Sequence, residues 1–463
     1  MIAPHVSSGL PTRARAIAGL GVCHVSPSGQ FVLERGAALP PRSDPAPPGR
    51  VHHPFFALSE RAQAAARHTE AGPLDYLILV PTLRCNLSCS YCQVSRAPVD
   101  QPRFDWSAAT LGHVLALLDG LEAPSIKIEF QGGEPTLRLD LVRAVIDACG
   151  RFAHKQFILC TNLSRLDADL FALLENPDVY VSTSLDGNAA THSAQRTGDA
   201  AATDCFLENA RTIIARFGPD KLSALPTIDQ ARPPDPDELI DAYRGLGQSS
   251  IYLRPINYQG FARKRHRSAN ADHAGWWAYY DRFVARLIAR NFADRSVVLE
   301  ESYLSLCLKR IFQIGHDRHV DLRNPNPVGR DYVLVDFDGR VYPTDEARML
   351  SRAGVIDLAI GTVAAGWDTP ERALLDRHST NIGDPACDAC AYQPYCGRDL
   401  VDDLSRYGTI AVPREETFFC GKHLHMFDLC MRLIHDSDPA TRYSLAKWMG
   451  LAGEQLPAMV ECI

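Results

Sequence analysis

The sequence predicts an α/β fold: a partial (β/α)6 barrel core followed by a smaller, cysteine-bearing domain. Two observations carry this expectation. From about residue 75, short apolar runs alternate with segments of helical period, and the alternation stops after six rounds, short of the eight that close a full barrel. Of the 14 cysteines, six fall in two groups of three far apart in the chain, Cys85–Cys92 and Cys387–Cys396. The 463 residues are 46% hydrophobic and 22% charged, ordinary for a globular chain. At roughly 100–200 residues per domain, that length allows two to four domains. The net charge of −7 argues against a nucleic-acid partner. No apolar run approaches the roughly 18 residues a membrane helix needs, and the first residues lack the continuous apolar stretch of a secretory signal. A cytoplasmic chain with no membrane partner is therefore expected.

In chain order, residues 1–70 read as a peripheral module and linker. Gly29–Glu34 suits a short strand, and Pro40, Pro41, Pro45, Pro47 and Pro48 mark the linker. The barrel core spans residues 71–315, with strands expected at Tyr76–Val80, Ile126–Phe130, Phe157–Cys160, Val179–Leu185, Leu222–Ile228 and Ile251–Ile256. Helical period runs through Ser107–Leu121, Leu139–Phe152, Asp167–Leu174, Phe206–Phe217 and Asp237–Leu246 between them, and through Trp276–Arg290 and Ser302–Phe312 beyond. Strands alternating with helices give a parallel sheet, whose ligands bind at the C-terminal strand ends. Asn324-Pro-Asn-Pro327 breaks the pattern. Residues 325–430 are turn-rich, with Tyr332–Phe337 and Arg340–Tyr342 flanking Asp338-Gly339 as a hairpin. Residues 431–463 read as a C-terminal helical tail.

The first cysteine group, Cys85-x3-Cys89-x2-Cys92, directly follows the first strand. Three thiolates on one loop can hold three irons of a [4Fe–4S] cube and leave the fourth iron open. Structural zinc favours four ligands and C-x2-C pairs. Polar neighbours Asn86, Ser88 and Ser90 do not suit three unrelated core cysteines. After the second strand comes Gln131-Gly132-Gly133-Glu134-Pro135, where two glycines permit close backbone approach to a ligand.

The C-x3-C-x-aromatic-C pattern resembles that of the radical S-adenosylmethionine (SAM) superfamily, which implies that the partial (β/α)6 barrel is a radical SAM barrel. The resemblance implies a SAM-binding [4Fe–4S] cluster on Cys85, Cys89 and Cys92, with SAM cleaved to a 5′-deoxyadenosyl radical. It implies that Tyr91 packs near the adenine and that Gln131, Gly132, Gly133 and Glu134 hold the SAM amino group. Ser184, in the Ser184-Leu-Asp-Gly187 segment, is implied to contact SAM, and Thr161-Asn162 resembles the family's TN pair. Arg196 is implied to reach SAM or substrate, against the plain reading of a solvated surface arginine. Arg254 could hold a carboxylate at the same rim or pair with a structural acid.

The second group, Cys387-x2-Cys390-x5-Cys396 with Cys420 further on, could hold zinc by spacing alone. It also resembles the SPASM domain of peptide-modifying radical SAM enzymes, so residues 325–430 are expected to form a SPASM-like Fe–S domain. Thr344 and Leu400 stand where that pattern has cysteines, so the resemblance implies one auxiliary [4Fe–4S] cluster on Cys387, Cys390, Cys396 and Cys420. Asp345, after Thr344, is at the place of a proposed general base in sulfatase-maturating relatives; an ordinary turn aspartate is the alternative. The remaining cysteines (Cys23, Cys149, Cys160, Cys205, Cys307, Cys430, Cys462) read as core fillers.

The stretches 79–93 and 338–350 resemble His-Xaa-Ser system radical SAM maturases of the HxsB kind. That implies a precursor peptide substrate, a sister radical SAM maturase and an external electron donor. The alternatives are a sulfatase-maturase-like enzyme forming formylglycine and a non-catalytic, metal-bound peptide-binding scaffold. The run Arg263-Lys-Arg-His-Arg267 raises nucleic-acid modification, but one short basic patch on an acidic chain is usually a solvated loop.

Overall fold

The computed structural model describes residues 10–36, 49–51, 70–266, 273–312 and 319–454. The chain opens on an antiparallel sheet of β1 (Leu10–Ile17), β2 (Gly21–Val25), β3 (Phe31–Arg35) and β4 (Gly49–Val51), in the order β3-β2-β1-β4. The third strand lies on the predicted run. The sheet is not peripheral. Ile17, Cys23, Val25 and Leu33 enter the main hydrophobic core. Arg15 grips Asp428 through two bonds of 2.6 Å, and the Tyr395 hydroxyl donates to the Gly29 carbonyl. Apolar side chains on one face of the sheet must be covered, and the segment around the second cysteine group covers them.

Five parallel neighbours form the barrel wall: β5 (Tyr76–Thr82), β6 (Ser125–Gly132), β7 (His154–Cys160), β8 (Val179–Ser184) and β9 (Leu222–Leu225). Ala108–Gly120, Leu139–Ala148, Ala168–Leu174, Ala200–Phe217 and Pro236–Gly245 are the covering helices. Four of these start at a side-chain cap, on Ser107, Asp167, Asp199 and Asp235. The Asp199 cap explains why the fourth helix begins six residues before Phe206. Strand β6 alternates strictly. Ile126, Ile128 and Phe130 pack with Val114, Leu118, Leu141 and Val145 of the helices, which leaves Lys127, Glu129 and Gln131 on the inner face.

The predicted fifth and sixth strands are broken. Thr227–Ile228 (β10) pairs parallel with Arg254–Pro255 (β12), and Ser250–Ile251 (β11) pairs with Glu300–Glu301 (β13). Pro226 and Pro255 lack the N–H a continuous ladder requires.

The predicted hairpin forms, but not in a separate domain. Its first strand β14 (Tyr332–Val335) pairs parallel with β5, in register Tyr332↔Tyr76 to Val335↔Leu79. Strands β15 (Arg340–Tyr342) and β16 (Gly361–Thr362) then extend the same eight-stranded sheet antiparallel. The free edge of β5 is apolar and its ladder groups need partners, so the hairpin belongs to the barrel. The described part of the expected tail, residues 431–463, is also core: Met431, Ile434, Leu445 and Trp448, on the helices Phe418–Ile434 and Pro439–Trp448, are buried, and the Trp448 indole donates to the Leu299 carbonyl at 3.0 Å.

Candidate active site

The loop bearing Cys85, Cys89 and Cys92 leaves the C-terminal end of β5, and three devices fix it. Arg84 binds Asp105 through two bonds of 2.7 Å, and Asp105 also accepts from the Thr82 hydroxyl at 2.6 Å and from Arg138 at 2.9 Å. Gly132 and Gly133 form the seat. The Gly133 N–H donates to Thr82 at 3.0 Å and the Glu134 N–H to Arg84 at 2.7 Å, while a Cβ on Gly133 would lie 2.2 Å from the Arg84 carbonyl oxygen. The motif reading gives these glycines to ligand approach; the structure gives them to the close approach of the cysteine loop itself. The third device is the segment after β12. Gly260, at φ +59°, rests on Gln93, Arg265 donates to the Cys89 carbonyl at 3.4 Å, and His266 lies 3.3 Å from that of Ser90. Arg265 and His266 of the basic run thus touch the loop, while Lys264 and Arg265 stay exposed to solvent; its Arg267 lies outside the described residues.

Burial pushes the Cys85 thiol up to about 12, although the Leu87 N–H at 3.4 Å opposes this; Glu134, Cys89 and Cys92 push it further up. The Asn162 amide also points at Cys85, 3.9 Å from sulfur. Burial raises Cys89 as well. A bound cation displaces such protons.

Tyr91 is buried, and its hydroxyl donates to Asp186 at 2.6 Å and accepts from Arg196 at 2.6 Å. Arg196 is therefore tied into the site and is not a solvated surface arginine. Its guanidinium lies 5.8 Å from the Tyr91 ring centre. Asp186, fully buried, also accepts from the Thr227 N–H at 3.0 Å. Burial raises its carboxyl while Arg196, Tyr91 and Arg254 hold it down. Sequence reasoning misses Asp186, although it lies inside the Ser184–Gly187 segment; its signal is an acid where a strand end meets the cysteine loop. Ser184 is on the inner face at the end of β8, paired with Leu225 of β9.

Glu134 is 1% exposed. Its carboxylate accepts from the Asn162 N–H at 2.8 Å, the Thr136 N–H at 3.1 Å and the Thr136 hydroxyl at 2.7 Å. It joins the ends of β6 and β7. Gln131 donates to Glu129 at 2.7 Å on the inner face. Cys160 is no core filler: its thiol faces the same Glu129 at 3.3 Å. Cys23, Cys149, Cys307 and Cys430 do fill the core, Cys205 is exposed, and Cys462 lies outside the described residues.

Thr344 caps the helix Asp345–Arg352 through a 3.0 Å bond from Ala347. The cap fixes Asp345 on the first turn of this helix; burial and the neighbouring Glu129 chiefly raise the Tyr76 phenol and the Cys160 thiol, with a smaller push from Asp345.

The second cysteine group assembles from the turn after the Asp384 cap and the first turn of Phe418–Ile434, where Thr417 accepts from the Cys420 N–H at 3.2 Å. Burial raises the Cys396 thiol, and Cys390, Cys387 and Cys420 raise it further. Arg414 faces Cys387, Cys396 and Cys420, and Arg13 and Arg15 of β1 face Cys390. Among the described residues, no three His, Cys, Asp or Glu side chains gather as ligands to a single ion. A cube distributes its thiolates over separate irons.

This site lies where comparison with known proteins also places a known domain. Residues 79–228 match the Radical SAM superfamily. The radical SAM domain is that of an enzyme superfamily, and it implies a [4Fe–4S] cluster and SAM. The donor set fits them: three thiols on one loop at the strand ends, beside a buried Tyr91–Asp186–Arg196 network. The chain is 29% identical over 117 residues to an uncharacterized protein of Methanocaldococcus jannaschii, and 34% identical over 113 residues to the GTP 3′,8-cyclase of Chlorobaculum tepidum. These alignments span 25% and 24% of this chain, and 39% and 33% of those proteins. Among solved structures it resembles native anSMEcpe with bound AdoMet, at TM-score 0.60 and 15% identity over 77% of this chain and 97% of that one. Streptococcus suis SuiB bound to its precursor peptide SuiA gives TM-score 0.55 and 12% identity over 89% and 98%. At such identities the likeness is one of fold. No helix among the described residues is long and apolar enough to cross a membrane.

Proposed function

We propose that the chain is a radical SAM maturase of a ribosomally made peptide, of the His-Xaa-Ser type. The observation that carries this is the three-thiol loop seated on Gly132–Gly133 with Tyr91, Asp186 and Arg196 beneath it. Cys85, Cys89 and Cys92 would hold a [4Fe–4S] cluster, which would supply the electron that splits SAM into methionine and a 5′-deoxyadenosyl radical. Tyr91, Gln131, Gly132, Gly133, Glu134, Ser184 and Arg196 form the SAM pocket in this reading. Tyr91 and Arg196 orient one side, and Ser184 projects from the end of β8, two residues before Asp186. Asp345 takes the proton released when a substrate C–H bond is oxidised.

The four thiols of the second group hold an auxiliary [4Fe–4S] cluster. Their setting supports this reading: a four-thiolate cube is anionic, and Arg13, Arg15 and Arg414 surround the group. The peptide substrate is supported by the fold shared with SuiB, which binds a precursor peptide. A sister maturase and an external electron donor complete the proposal, with the cytoplasm as its setting.

The experiment is anaerobic reconstitution followed by iron analysis and a SAM-cleavage assay. Two clusters predict about eight irons per chain, and Cys85, Cys89 and Cys92 replaced together by Ala should leave about half. Dithionite-reduced protein should release 5′-deoxyadenosine, and the triple variant should not. Stoichiometric zinc at Cys387, Cys390, Cys396 and Cys420 in protein purified without oxygen would refute the auxiliary cluster.

A further inference from the structure

The N-terminal mouth of the barrel, at the other end of the strands from the cysteine loop, holds a polar cavity. Tyr332, Tyr76, Lys127 and Gln156 stand in one row across β14, β5, β6 and β7, in register Tyr332↔Tyr76, Tyr76↔Lys127 and Lys127↔Gln156. Side chains at matched positions of neighbouring parallel strands share a face. Together with Arg323 and Asp331 they line a cavity of about 370 Å³, within the size range of small-molecule sites. In parallel barrels ligands bind at the C-terminal strand ends, and this end is ordinarily given to packing. A polar cavity here therefore does not belong to the site built on Cys85, Cys89 and Cys92.

Three buried polar atoms of the lining have no hydrogen-bond partner: the Tyr332 hydroxyl, Arg323 Nε and Asp331 Oδ1. Tyr332 is 4% and Arg323 5% exposed. Arg323 and Asp331 pair with each other through Nη2 and Oδ2, which leaves Nε and Oδ1 over. Among the described residues, the Lys127 ammonium forms no hydrogen bond or ion pair. It lies over the Tyr76 ring at 4.2 Å, a contact that supplies no lone pair to its N–H groups. Lys155, also on the lining, donates to the Phe152 carbonyl at 3.1 Å. A buried polar atom without a partner costs stability unless something supplies one. Water would satisfy the three atoms. It would not answer the charge, because Lys127, Lys155 and Arg323 face only Asp75 and Asp331 around the cavity.

We propose that this cavity binds a small oxyanion that carries its own O–H group, hydrogen phosphate or a short 2-hydroxy carboxylate. The charged oxygens accept from Lys127, Arg323 Nε and the Tyr332 hydroxyl, and the O–H donates to Asp331 Oδ1. Each group left over by the protein then has a partner. Asp331 is the selective element: a fully ionised anion such as sulfate offers only lone pairs, and its charge meets the carboxylate as a repulsion. Tyr76, which lines the same cavity, donates its hydroxyl to Glu129 at 2.7 Å, so the anion sits one side chain away from the inner face of β6. The inference stands apart from the radical chemistry read above and assigns a second, separate site.

The test is calorimetric binding to the full-length protein, purified without oxygen, near neutral pH in a buffer free of phosphate, sulfate and carboxylates. The probes are inorganic phosphate against sulfate, and lactate against propionate. In at least one pair the ion with the O–H should bind about tenfold or more tighter, and the pair that shows this names the source of the ligand. Lys127→Met removes the charge and keeps the bulk, and should weaken that ion about tenfold or more. Tyr332→Phe removes only a hydroxyl, and should weaken it about threefold or more. Both variants should keep the near-ultraviolet circular dichroism of the parent. Asp331→Asn should erase the preference by admitting sulfate or propionate; if that variant fails to fold, the other two still decide. No preference in either pair overturns the proposal. So does a preference that Lys127→Met and Tyr332→Phe both leave intact, which places the anion elsewhere on the protein.

Discussion

Glu134 shows how one side chain serves both fold and site. Its carboxylate satisfies three donors from Thr136 and Asn162, and so joins two strand ends beneath the cysteine loop. Glu134→Ala leaves those donors without it, at about 1–3 kcal/mol for each buried donor that stays unsatisfied. The variant should melt lower and bind SAM more weakly, as equilibrium dialysis with labelled SAM would report. Unchanged SAM affinity at a lowered melting temperature would make Glu134 a scaffold residue only. Asp345 belongs to the same scale. Thr344 caps its helix and so fixes Asp345 on the first turn. Asp345→Asn keeps the shape but cannot take a proton. SAM cleavage should then continue while peptide product falls by roughly 10²–10⁴-fold, the contribution of a general base. If Asp345 is structural, both activities and the iron content decline together.

At the scale of elements, the cysteine loop and the strand-end glycines form one device. A methyl group on Gly133 would stand 2.2 Å from the Arg84 oxygen and 2.3 Å from that of Leu83, and both are backbone atoms that cannot swing aside. Gly133→Ala should therefore displace the loop and empty the first site while the second keeps its metal, leaving about half of the iron. Iron analysis with electron paramagnetic resonance of each cluster would check this. Full iron and normal SAM binding would mean that the loop is not seated as described. The contrast with Gly339 is instructive. It has φ +81°, in the Asp338-Gly339 turn, so its role is conformational, and no atom lies closer than 3.5 Å to the place of its Cβ.

For the whole molecule, the strand pairing overrides the division suggested by the cysteine groups. Strand β14 covers β5, the N-terminal sheet packs beside the second cysteine group, and Trp448 closes on Leu299. One buried cluster runs from Ile17 to Met449. A chain truncated at residue 320 would expose the apolar edge of β5, so it should aggregate and not behave as an independent barrel domain. Size-exclusion chromatography of that fragment decides the matter: a soluble, folded monomer would show that the barrel stands alone.

Local pattern alone determined the five parallel strands, their helices and the hairpin, because alternation and turn chemistry act over a few residues. It also marked the two cysteine groups, whose ligands lie close together in the chain. The breaks in the fifth and sixth strands were less legible, since they depend on which N–H groups find partners across the sheet. Other features were decided only by the tertiary structure. The partners of Arg196, the contact that gives Gly133 its purpose and the contact of the Cys160 thiol with Glu129 all join residues far apart in sequence. Nothing in local period or spacing encodes them; they follow from strand register and from which faces had to be buried together.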